Sequence, residues 1–238
     1  MTSIHRFVAC ASLLGCHPAV FSPPARALPM ETVAPLAVGE TAVQAEGGKS
    51  SATFGAQAWG GSVRARRGVA PDTDVSAEVS YIFLAGEAAR PVDRGIYAGR
   101  IGAKQRLTKW LGVTGGLGGG GSAGGGFVSP DVGPIIAYEN RYCVPFVAAR
   151  GGFSVPIGSR SVDTTPYDSS FADPTPYIDH PRLTWFVGAS TGVRVPLGWD
   201  NTGTVHASLL GAVGLIHLAD VRDKETLAQV GGGAELAF

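Results

Sequence analysis

Between Leu183 and Leu197 the chain reads LTWFVGASTGVRVPL. Its odd positions are Leu183, Trp185, Val187, Ala189, Thr191, Val193, Val195 and Leu197; the even ones include Thr184, Gly188, Ser190, Gly192 and Arg194. A strict period of two predicts a β-strand with one apolar face and one polar face. The same pattern recurs. DVSAEVSYIF sets Val75, Ala77, Val79, Tyr81 and Phe83 against Asp74, Ser76, Glu78 and Ser80. IYAGRIGAKQRL sets Tyr97, Ile101 and Leu107 against Arg100, Lys104 and Arg106. CVPFVAARGGFSVPI opposes Val147, Phe153 and Ile157 to Arg150 and Ser154, and ETLAQVGGGAELAF opposes Val230, Leu236 and Phe238 to Gln229 and Glu235. No helical periodicity interrupts these runs from Val38 onward. Period two alone does not say which face is inside: a soluble barrel buries the apolar face, a membrane barrel turns it to lipid.

The connections favour the second arrangement. With about ten strands, the turns VAPDT, LTKW, ENRY and LGWDNTG fall at one end. AGEAARPVDRG, GGGGSAGGG, ADVRDKE and the long tract at 158–182 fall at the other. Short turns on one rim and long loops on the other are how outer-membrane barrels are built. Aromatic residues gather near predicted strand ends: Trp110, Tyr138, Tyr142 and Trp199 toward one rim, Tyr81, Phe83, Tyr97 and Trp185 toward the other. The first strands are the least regular, and AWGGSVRARR reads as bulged.

Composition sharpens this picture. Charged residues are 16% of the 238 and glycine contributes 35 of them, so the chain is charge-poor and glycine-rich for a globular protein. Net formal charge is zero, which removes the basic field that a nucleic-acid partner needs. No uninterrupted apolar run reaches the length of a membrane-spanning helix, so insertion would use strands. The cysteines, Cys10, Cys16 and Cys143, have no metal-ligand spacing, and neither metal nor cofactor is expected.

The amino terminus has the features of an export signal: His5 and Arg6, then the apolar FVACASLLGC. Leu13-Leu14-Gly15-Cys16 resembles the lipobox of bacterial lipoproteins, which implies residues 1–15 as signal peptide and lipidation of Cys16. Ala25-Arg26-Ala27 offers a rival cleavage site after residue 27. Residues 16–37 are proline-rich and read as an extended tether, and 38–238 as the barrel.

Over residues 38–238 the chain resembles the small outer-membrane β-barrel proteins of Gram-negative bacteria. It ends on AELAF, with Phe238 on the apolar face. The resemblance implies an all-β, antiparallel up-and-down transmembrane barrel of about ten strands (eight to twelve), embedded in outer-membrane lipid. It also implies that Phe238 is the signal read by the barrel-assembly machinery. Glu78, Arg100, Lys104, Glu139, Arg150, Arg194 and Glu235 would then project into the lumen, where charges must pair. A lumen filled by these side chains is the leading expectation, with a narrow, mildly anion-favouring solute or ion pore behind it. The loop at 158–182 would face outward and could take an extracellular partner. A lipid-tethered or soluble periplasmic barrel binding an apolar ligand, as lipocalins do, is the competing arrangement.

Catalytic candidates are thin. Asp179 and His180 resemble the acid–histidine pair of the omptin proteases, but they are adjacent rather than one residue apart. His217 has no serine beside it in sequence for acyl transfer. The glycine run from Gly115 to Gly126 lacks the Lys-Ser/Thr of a phosphate loop. No enzymatic activity is expected.

Overall fold

The computed structural model describes residues 20–26, 28–52, 57–85, 95–163, 178–198 and 205–238. Ten long strands close into an antiparallel barrel: β1 (Thr41–Ala52), β2 (Gln57–Ala70), β3 (Thr73–Ala85), β4 (Gly95–Arg106), β5 (Leu111–Ser122), β6 (Gly125–Ala137), β7 (Val144–Ile157), β10 (Thr184–Pro196), β11 (His206–Ala219) and β12 (Lys224–Ala237). Each pairs with its sequence neighbour, and β1 pairs with β12 to seal the cylinder, Ala42 opposite Ala237 and Ala52 opposite Leu227. Two further strands, β8 (Val162–Asp163) and β9 (Ile178–Asp179), pair with each other outside the wall.

The period-two faces sort as an inverted barrel. Val79, Tyr97, Ile101, Trp185 and Val187 are each more than half exposed, whereas Glu78, Arg100, Lys104, Arg150 and Glu235 are at most 5% exposed. An apolar exterior around a charged interior is the arrangement of a barrel that spans a membrane. The opposite assignment, with the charged face outside, does not describe these strands. Trp110, Tyr138 and Tyr142 lie outward near the end where β1 begins and β12 finishes, here the near end. Tyr81, Phe83 and Trp185 lie outward near the far end, joined there by Trp59. Trp199 is outside the described residues.

Three sequence expectations need correction. GGGGSAGGG is not a long loop: β5 and β6 run through it and turn over Ala123 and Gly124 alone. AWGGSVRARR carries no bulge, since β2 pairs without a break from Gln57 to Gly68, and the register slips only between Gly68 and Ala70. The end-to-end asymmetry is also weaker than expected, because the far-end links 123–124 and 220–223 are as short as near-end turns. The long far-end links are 86–94 and 158–183, the latter carrying β8 and β9.

The largest departure concerns the stretch before β1. The described residues of this stretch, 20–26 and 28–36, run inside the barrel, where a tether preceding it was expected. Ser22, Arg26, Met30, Glu31, Thr32 and Val33 are buried in the lumen. Pro23, Pro24, Pro29 and Pro35 explain the conformation. Proline fixes an extended φ and supplies no amide N–H, so this segment cannot join a sheet and brings fewer donors that need partners. At the near end the chain reverses into β1 through Gly39, whose φ of +89° is one that side-chain-bearing residues rarely adopt. Gly39 N–H donates to Gly68 O (2.8 Å) and Val38 bridges Gly68.

Candidate functional site

The lumen is where the buried chemistry lies, and it is built from the wall inward. The strands project their polar face to the axis, and the segment 20–37 descends through the centre from the far end to the near end. Having no strand partner, its backbone must be satisfied by wall side chains. At the far end Ser22 N–H donates to Thr184 Oγ1 (2.9 Å), Ser22 and Ser154 share a hydroxyl hydrogen bond (2.8 Å), and Ser154 also donates to Pro23 O (2.8 Å). Lower down, Arg150 donates to Arg26 O, Ser190 to Pro29 O (2.6 Å) and Gln44 to Met30 O (3.1 Å). Near the exit Lys104 Nζ donates to Thr32 O (3.2 Å) and Ala34 O (2.6 Å). There Ala34 N–H donates to Glu139 and Leu36 N–H to Asp74, each at 2.9 Å.

Apolar residues of the segment find matching recesses. Phe21 packs on Phe186, Ile216 and Leu218; Ala25 on Ala98 and Phe127; Leu36 on Ala42 and Ala237. Met30 and Val33 enter the largest recess, made by Ile135, Val144, Phe146, Ala148 and Leu210 on β6, β7 and β11. Burying two such side chains stabilises the seated segment by roughly 1.5–3 kcal/mol each. Space for the chain is cut into β5: a Cβ on Gly118 would lie 2.3 Å from the Ala25 Cβ. The glycine run is therefore a groove in the wall.

Charges fill the rest. Arg26 pairs with Glu31 (2.5 Å), Glu78 (3.3 Å) and Glu46 (3.4 Å). Arg64 also pairs with Glu31 and donates to Gln44 Oε1 (2.6 Å). Arg100 makes a two-pronged bridge to Asp131, Nε to Oδ2 at 2.7 Å and Nη2 to Oδ1 at 2.6 Å. Toward the near end Asp74 takes Lys104 (3.1 Å) and Arg66 (3.2 Å), while Glu235 takes Arg66 and Arg194 (3.1 Å). Buried ions demand such partners, because an unanswered charge in a low-dielectric interior costs several kcal/mol.

Of the residues expected in the lumen, Glu78, Arg100, Lys104, Arg150, Arg194 and Glu235 all point there, and Glu139 sits half-buried at the near rim. Sequence reasoning missed Arg26, Glu31, Glu46, Arg64, Arg66, Asp74 and Asp131. With them the named acids and bases are equal in number among the described residues, so the expected excess of inward Arg and Lys is not found there, nor the reason for anion preference. Arg64 and Arg66 carried a usable signal: they share a face with one another and alternate with Ala65 in SVRARR. A cavity of about 80 Å³ remains beside the segment, lined by Leu28, Ser50, Ser80 and Gln229 over Arg26, Glu46 and Glu78.

The remaining candidates lie outside this network. Asp179, beyond the far rim, accepts two hydrogen bonds from Arg182 (3.2 and 2.5 Å) and one from the His180 N–H (2.9 Å). Burial alone would raise that carboxyl, but these donors outweigh it and hold it below the usual aspartate range. The His180 ring stands 3.9 Å away. His217 lies on the outer face, hydrogen-bonded to Thr226 Oγ1 (2.8 Å). Phe238 is on the outer face too, and exchanges backbone hydrogen bonds with Thr41 in both directions (2.8 Å each). Cys16 and residues 164–177 of the long loop are outside the described residues.

No family model matches the chain, and no curated protein does either. Solved structures do. Neisserial surface protein A is 12% identical over 83% of this chain and 94% of its own, with a TM-score of 0.39. The translocator domain of the autotransporter NalP from Neisseria meningitidis is 8% identical over 85% and 89%, at 0.49. The N-terminal β-barrel domain of Pseudomonas aeruginosa OprF is 13% identical over 83% and 98%, at 0.32.

Proposed function

We propose that the chain is an integral outer-membrane β-barrel of a Gram-negative bacterium, closed by its own residues 20–37, with a structural or interaction role. The observation that carries this reading is the crossing of the lumen by Arg26, bonded at once to Glu31 of the segment and to Glu46 and Glu78 of the wall. A solute path would have to break that network. The apolar exterior supports insertion in lipid. The outward position of Phe238 at the end of the closing seam supports its reading as the signal for the barrel-assembly machinery. The far-end loops, 158–182 above all, are the surface on which an extracellular partner would act, since loops more often than the wall carry such contacts.

Two measurements test this. Expressed in a Gram-negative host, the protein should fractionate with the outer membrane and migrate differently on gels before and after boiling. Recovery in the soluble periplasm overturns the reading. In planar bilayers the intact protein should be silent, and a variant lacking residues 20–37 should conduct. Steady conductance by the intact protein would show that the lumen is open.

A further inference from the structure

We infer that the chain upstream of Val20 is presented on the far, long-loop side of the membrane, and that the mature protein retains residues 20–26. The first part rests on the proposed outer-membrane reading, which makes the far side extracellular.

The direction of travel is fixed at both ends and between them. Phe21 forms a bridge with Arg182, and Ser22 is held by Thr184 at the start of β10 and Ser154 late in β7, all far-end positions. Leu36 bonds Asp74 at the start of β3, and Val38 bridges Gly68, both near-end positions. Between them the wall partners descend in order: Arg150 and Ser190, then Gln44, then Lys104. Reversing the segment would break every one of these bonds. A chain entering at the far rim and leaving at the near rim has its preceding residues beyond the far rim.

Retention follows from what residues 20–26 supply. Were the mature chain to begin at residue 28, Ser154 and Thr184 would lose Ser22, and Arg150 would lose the Arg26 carbonyl. Glu78 would lose the Arg26 guanidinium deep in the lumen, and Glu46 would keep Arg64 (3.6 Å) but lose Arg26, so the buried network would be short of a cation. Ala25 and Arg26 are thus wall-bound, and cleavage falls upstream of Val20.

The test uses the full chain in a Gram-negative host, with an epitope inserted between residues 19 and 20, and separately within 86–94. A heat-modifiable band establishes that each variant has folded. Antibody labelling of intact cells at both positions is the expected result. Labelling at 86–94 on intact cells, but between 19 and 20 only after permeabilisation, overturns the threading direction and leaves the membrane-barrel reading standing. Labelling at neither site until permeabilisation overturns the orientation, and the proposed reading with it. Mass spectrometry of the untagged, folded protein gives an answer free of any insertion. Peptides containing residues 20–26 are expected at the mature terminus, and a mature chain starting at residue 28 overturns retention.

Discussion

Arg26 and Glu78 face one another as buried ions (3.3 Å), and single changes there should be costlier than paired ones. Replacing Arg26 by Met leaves Glu46 and Glu78 buried beside no cation of the segment, a loss of roughly 3–5 kcal/mol. The expected outcome is a lower urea midpoint for loss of the heat-modifiable form. Arg26→Met with Glu78→Leu should recover part of it, and a double variant no better than the single would show that the pair is not coupled. Gly118 offers a steric test. Gly118→Leu puts a side chain where the Ala25 Cβ already stands 2.3 Å from a built Cβ, and overpacking of this kind costs about 1–3 kcal/mol. The burden should fall on the seated segment, so this variant should gain channel activity in bilayers while keeping its barrel migration.

At the scale of elements, the strands were legible and the lumen segment was not, for the same reason. A strand facing lipid on one side and charge on the other writes period two into its residues, and IYAGRIGAKQRL or LTWFVGASTGVRVPL can be read at once. Glycine writes no period, so Gly118–Gly126 reads as a loop although all but Ala123 and Gly124 of it is strand. The described residues of this segment, 20–26 and 28–36, have wall on more than one side, which removes any alternation of faces, and their prolines give the composition of a solvated linker. Their partners lie far along the chain, beyond any local pattern. The inner apolar recess of Ile135, Phe146 and Leu210 was likewise hidden, since its residues alternate with others just as apolar, such as Ile136 and Val147. That recess predicts that Val33→Asp, which buries a carboxylate among hydrocarbon, unseats the segment without touching the wall. Its bilayer conductance should approach that of the variant lacking residues 20–37, and a silent Val33→Asp protein would refute the recess as the anchor.

For the molecule as a whole, closure depends on one seam. β1 and β12 pair from Ala42 opposite Ala237 to Ala52 opposite Leu227, and Phe238 locks to Thr41 just beyond. Phe238→Ala keeps those backbone bonds but removes the outward ring, so purified protein should refold in detergent with an unchanged melting profile. Recovery in the outer membrane of living cells should fall several-fold. Equal recovery would deny Phe238 a part in delivery.

The seating of Ser22 has a further consequence, for the order of events in time. Its two side-chain partners, Ser154 and Thr184, lie 132 and 162 residues downstream. Contacts so distant in sequence are slow to form, because a large loop must close before they reward the chain. Until β7 and β10 exist there is nothing for Ser22 to hold, and once β12 has zipped onto β1 no side door remains. Seating of the segment's far-end anchor therefore belongs to the late part of assembly, after β7 and β10 have formed.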